Sequence, residues 1–185
     1  MLPTEGFTHL MPVEYWDIYD KFGHKTGRTR ASDSAFDKDE YHLVVHVCIF
    51  NAKGELLIQK RQPWRKRWPD LWDVSAAGRA LAGENSAEAA ERETYEEIGL
   101  KIDLSEERPY LTVHFESGFD DIYLIEREVS LDQLTLQKEE VQAIKWASKE
   151  EVLQLVRKRE FIDYFFIESL FELRSQRGSM RTTEF

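Results

Sequence analysis

"RETYEEIGL", residues 92–100, places one arginine and three glutamates in six consecutive positions and closes on Ile-Gly-Leu. Glu93, Glu96 and Glu97 stand at spacings that make them neighbours on a helix, where like charges repel by a few tenths of a kcal/mol per pair, roughly. A divalent cation is the obvious means of recovering that cost. The helix is predicted from about Ser86 to Ile98. Asn85 caps it, Glu88 completes a capping box, and Gly99 supplies the left-handed stop. Ala90, Thr94 and Ile98 recur every four residues and form an inward stripe beside the acidic arc.

The rest of the chain sets the frame. Its 185 residues suit one domain with a real core. Twenty-five basic against 35 acidic side chains give a net charge of -10, which argues against a nonspecific nucleic-acid binder. It does not exclude a phosphate-bearing small molecule, because a metal bridges two anions. The single cysteine, Cys48, rules out an intrachain disulfide and a cysteine metal cluster. No apolar run reaches the length of a membrane span and no signal pattern opens the chain, so no membrane partner is expected and the default localisation is cytoplasmic.

Residues 1–40 read as an N-terminal arm whose short strands pack on the domain, with a turn at Phe22-Gly23-His24. The stretch from His42 to Lys60 reads as a hairpin about Asn51-Ala52-Lys53-Gly54. Strands are expected near 109–116, 121–129 and 142–147, and helices over "SKEEVLQLVRKRE" and "FIDYFFIESLFELRSQ", before a flexible tail at 175–185. This mixture predicts an α+β fold. "FIDYFFIESLF" carries more apolar residues than one helix face can bury, so it covers the sheet or contributes to a homodimer interface.

Hard oxygen ligands in this number suit Mg²⁺ or Mn²⁺. The matching chemistry is phosphoryl or nucleotidyl transfer to water, with a spare carboxylate activating the nucleophile. Set against this is the bland reading, a solvated acidic face. Arg92, placed to pair with Glu96, and the glycine-punctuated loop ahead of the helix weigh against it.

From Gly78 the chain runs five residues to Glu84, seven more, then Arg92-Glu93-Thr94-Tyr95-Glu96-Glu97-Ile98-Gly99-Leu100. This resembles the Nudix box at every fixed position; Thr94 stands where a bulky aliphatic is usual. The resemblance extends from about residue 14 to 150. It implies the Nudix α/β/α sandwich, a mixed β-sheet between helices, in a domain at 41–174. It also implies a metal-dependent hydrolase of nucleoside diphosphate-X or related small-molecule diphosphates. By the same likeness Glu96 and Glu97 hold Mg²⁺ or Mn²⁺, and Glu93 binds a further metal or acts as base. Arg92 orients the carboxylates and pairs with Glu84. The Ala77 carbonyl and a later carboxylate, Glu140, complete the ligand set, with Glu139, Glu116, Asp120 and Asp121 as competitors. Gly78, Arg61, Arg79 and Trp72 are the expected substrate contacts, beside a basic, aromatic loop holding Trp64, Arg65, Lys66, Arg67 and Trp68.

The stretch from His42 to Glu84 most resembles the branch holding isopentenyl-diphosphate isomerases, which raises isomerisation as a rival. That pattern puts a cysteine just before the box glycine and a histidine just after it; here Ala77 and Arg79 occupy those places. Of the upstream histidine pair only His42 matches, with Ala35 seven residues earlier. The hydrolytic glutamates are intact. A non-catalytic metabolite sensor on the same fold is the third reading. His42 and His46 are read as satisfied structural histidines, and Cys48 as core.

Overall fold

The computed structural model describes residues 13–174, so the expected tail at 175–185 lies outside the described residues. Its centre is β3 (His42–Phe50). The alternating side chains of β3 feed two cores. Val45, Val47 and Ile49 join one with Leu57, Ala89, Ala90 and Ile98. Cys48 and Phe50 join the other with Ile58, Val152, Phe161, Phe166, Leu170 and Phe171. A strand buried on both faces needs partners along its full length. It finds them in β8 (Gly118–Glu126), which pairs parallel from His42↔Gly118 to Phe50↔Glu126, and in β6 (Ala76–Arg79), which pairs antiparallel.

The expected hairpin is therefore corrected. β4 (Leu56–Arg61) touches β3 in register only at Phe50↔Leu56. The turn forms as read, with Asn51 Oδ1 accepting from the Lys53 and Glu55 backbones at 3.0 and 2.9 Å. Beyond it the strands part. β4 pairs with β9 (Val141–Ala147) and with β5 (Trp72–Asp73), while β7 (Leu111–Phe115) closes the far edge on β8. β8 begins three residues earlier than the pattern suggested. A side chain on Gly118 would meet the His42 carbonyl oxygen at 2.2 Å, so only glycine lets the two backbones lie this close.

Helix α1 (Ser86–Ile98) packs on the first core, with the Asn85/Glu88 capping box and Gly99 at φ 71°. Thr94 is fully buried and its hydroxyl donates to the Ala90 carbonyl at 2.7 Å, which is how a polar residue fits the aliphatic position. α2 (Lys149–Arg157) covers the other face. The second expected C-terminal helix is corrected to α3 (Ile167–Leu173). Arg159, at φ 59°, turns the chain out of α2. The chain then runs alongside β5, with Trp72 N–H donating to Glu160 O and Ile162 N–H to Trp72 O. This segment and α3 bury most of the apolar excess against the sheet; Phe165, 82% exposed, is the exception. The result is a mixed sheet flanked by helices, the expected α+β sandwich. No helix among the described residues is long and apolar enough to cross a membrane.

Candidate active site

The box lies where β6, its following loop and α1 meet. Gly78 needs to be glycine for a steric reason: a Cβ there would fall 2.1 Å from Cδ and Oε1 of Glu93. The glutamate carboxyl occupies the space a side chain would take. One turn on, Glu97 is 1% exposed, and its Oε2 accepts from Ala77 N–H at 2.9 Å and Gln59 Nε2 at 2.7 Å. Both donors use the same oxygen, so no described donor reaches Oε1. Gln59 Oε1 is itself buried and unpartnered among the described residues.

Arg92 ties the loop to the helix. Its Nε and Nη2 reach the two oxygens of Glu84 at 2.7 and 3.0 Å. Nη1 donates to Glu93 Oε1 and Glu96 Oε2, both at 2.9 Å, and Nη2 to Arg79 O at 2.9 Å. One guanidinium thus faces three carboxylates. Glu96 is turned toward Arg92 and half exposed, so the carboxylates that converge inside are Glu93 and Glu97.

Burial pushes Glu93 up to about 7, with Arg92 opposing and Glu96 and Glu140 adding to the rise. Burial also holds Glu97 well above the usual carboxylate range, reinforced by Glu93 and Glu140 and only partly offset by Ala77 and Gln59. Glu140, accepting from Arg65 Nη1 at 2.8 Å, is thus the later carboxylate whose charge both glutamates feel. Of its competitors, Asp120 accepts from or shares a proton with His46 Nδ1 at 2.5 Å, Asp121 accepts from Thr112 Oγ1 at 2.5 Å, and Glu139 and Glu116 are exposed.

Other expected contacts have partners of their own. Arg61 Nη1 is held 3.3 Å from Asp73 Oδ2. Asp73 Oδ1 in turn accepts from Tyr164 OH at 2.8 Å, and Tyr164 OH lies 2.9 Å from His46 Nε2. His46 is satisfied in this chain. His42 is not: its Nδ1 is buried without a partner among the described residues, which corrects that part of the reading. Trp72 packs on the second core under Lys145 Nζ, 5.1 Å from its ring centroid. Trp64 and Trp68 are exposed, and Trp64 Nε1 donates to Glu139 O at 3.1 Å. Cys48 is fully buried. Gln59 escaped the sequence reading, although a lone amide within the apolar run "LLIQKR" was the available signal.

The site thus sets Glu93 against Gly78 under Arg92, with the buried Glu97 one turn on, on a mixed sheet between helices. Residues 40–168 match the NUDIX domain, and the chain belongs to that family of hydrolases. It is 50% identical over 163 residues to an uncharacterized Nudix hydrolase of Listeria monocytogenes, covering 88% of this chain and 96% of the relative. Lower down it is 27% identical over 158 residues to an isopentenyl-diphosphate Delta-isomerase of Corynebacterium diphtheriae, covering 80% and 86%. The crystal structure of DR0079 from Deinococcus radiodurans superposes with a TM-score of 0.71 at 22% identity, over 86% of this chain and 99% of that one, a likeness of fold.

Proposed function

We propose that the chain hydrolyses a diphosphate linkage in a small molecule of the nucleoside diphosphate-X kind, with Mg²⁺ or Mn²⁺ held at Glu93 and Glu97. The observation that carries this reading is the pair of Glu93 and the buried Glu97, whose one ion-paired guanidinium among the described residues, Arg92, is already shared with Glu84 and Glu96. Two carboxylates pressed together out of water hold either a proton or a cation.

The donor set fits such an ion. No group of three or more His, Cys, Asp or Glu among the described residues is arranged to hold a metal alone. Mg²⁺, however, takes one or two carboxylates and fills its shell with water and substrate phosphate. The unpartnered Gln59 Oε1 is an acceptor that ordered water at such a site satisfies. When bound, the ion neutralises the diphosphate and polarises phosphorus. The protein's own part is positional. Ala77 and Gln59 fix one oxygen of Glu97 and leave the other for the ion. Arg92 holds Glu93 in the recess of Gly78, where the carboxylate serves either as a ligand of the ion or as the base that takes a proton from the attacking water. Glu96, the Ala77 carbonyl and Glu140 are further ligands in this proposal, and Arg79 and Arg61 candidate phosphate contacts.

Isomerisation is disfavoured because Ala77 and Arg79 offer neither the thiol nor the imidazole of that pattern. A panel of diphosphate compounds incubated with Mg²⁺ or Mn²⁺ tests both readings. We expect metal-dependent release of phosphate or a monophosphate from at least one, and no dimethylallyl diphosphate from isopentenyl diphosphate. Appreciable conversion of the latter overturns the assignment, and tight metabolite binding without turnover would instead make the chain a sensor.

A further inference from the structure

The hairpin of β1 (Tyr15–Tyr19) and β2 (Lys25–Ala31) precedes the matched family span, yet it grips the box loop. Tyr15 O accepts from Ala82 N–H at 2.7 Å, and Asp17 Oδ2 from Gly83 N–H at 2.9 Å. Lys25 Nζ donates to Glu84 O at 2.7 Å and pairs with Asp17 Oδ2 at 2.8 Å. Between Tyr15 and Asp17, Trp16 is 5% exposed and lays its ring against Arg79, whose guanidinium carbon lies 4.4 Å from the ring centroid. Phe36 and His42 stack behind it at 5.9 and 6.1 Å.

Arg79 is adjacent to Gly78, and so to Glu93; Glu14 and Glu93 favour its charge, but no carboxylate forms a salt bridge with it among the described residues. Arg28, Arg30, Arg61, Arg65, Arg92 and Arg174 have one, whereas Arg108, Arg127, Arg157 and Arg159, away from the box, form none among the described residues. Arg67, exposed on the loop after β4, also forms no salt bridge among the described residues, and its charge opposes that of Arg79. Arg79 Nε, Trp16 Nε1 and His42 Nδ1 are three buried nitrogens without partners among the described residues, all in this one cluster. A half-buried guanidinium that forms no salt bridge among the described residues, with its Nε unpartnered and one residue from the Gly78 recess of Glu93, marks a place for an anion.

We infer that Trp16 positions Arg79 to receive a phosphoryl group of the substrate next to Glu93, so that the N-terminal hairpin forms one wall of the active site. The inference rests on the hydrolase reading for the identity of the substrate, but not for the binding itself. Trp16 acts through Arg79: its face fixes a side chain that would otherwise sweep a wide arc, and Phe36 keeps that face in place.

The test uses the full chain with Mg²⁺ and methylenediphosphonate, a diphosphate that water cannot cleave, followed by calorimetry. Arg79→Gln is expected to weaken binding about tenfold or more, as loss of a charge-assisted phosphate contact does. Trp16→Leu should weaken it by a similar factor, and the double variant by little more than either alone, because both act through one contact. Trp16→Phe keeps an aromatic face and should restore most of the affinity. For any compound the panel shows to be hydrolysed, KM should rise more than kcat falls in Arg79→Gln. Unchanged binding in Arg79→Gln overturns the inference even if Trp16→Leu fails to fold, as do losses that multiply in the double variant. Hydrolysis with binding insensitive to Arg79 sinks the subsite and spares the hydrolase; sensitive binding with no hydrolysed compound does the reverse.

Discussion

Glu97→Gln should lower turnover by about 10³-fold, the scale of losing several kcal/mol of metal-borne stabilisation of the transition state. The same change should leave the metal-free protein at least as stable as the parent at pH 8. The two effects have one cause. Glu97 is buried beside Glu93 and its affinity for protons is raised in the folded chain. A carboxylate so raised contributes its full stability below the unfolded value of about 4.5 and loses it as pH climbs through the folded value. Glu93, raised to about 7, behaves likewise. Without metal, the parent should therefore lose thermal stability between pH 5 and pH 8. Glutamine keeps an oxygen for the Ala77 and Gln59 donors but carries no charge, so the variant should lose less. Turnover assays with thermal unfolding in chelator at both pH values check this. Full activity, or an identical pH dependence of unfolding, contradicts the role given to Glu97.

Gly78→Ala is expected to cost about 10²-fold in turnover with the fold retained, the penalty of displacing a catalytic group by an ångström or so. Gly78 is not among the residues of positive φ, so alanine suits its backbone. What alanine cannot do is share space with Glu93, whose Oε2 would lie 2.5 Å from the new methyl and Oε1 closer still. The carboxyl must leave its recess or β6 must shift. Either motion loosens the Arg92–Glu93 contact at 2.9 Å. Circular dichroism with steady-state kinetics separates the cases, and parental activity would show that the recess is not where Glu93 works.

The box helix could be read from the chain because its signals are local. Asn85, Glu88 and Gly99 cap it, and the arginine and glutamates recur at helical spacing. The pairing of β3 could not. Asn51 and Gly54 announce a turn, but a turn says only that two strands meet there, not how far they stay together. A strand buried on both faces took β6 and the distant β8 instead. The apolar content of the segment after Arg159 suggests helix, but it cannot distinguish a helix from the extended chain that lies along the sheet edge there. Within the site, charge and spacing disclosed Glu93, Glu96, Glu97 and Arg92. They were silent on Gln59 and Trp16, which enter through strand register and through a hairpin far from the box in sequence.

The most direct test of the central claim is a calorimetric titration of the metal-free protein with Mn²⁺ at pH 8 and pH 5, repeated on Glu93→Gln and Glu97→Gln. The account predicts saturable binding at pH 8, weaker binding at pH 5 where protons compete for the same oxygens, and loss of binding in both variants. Binding of equal strength in the parent and both variants, or hydrolysis that proceeds with no Mn²⁺ or Mg²⁺ bound, would contradict it.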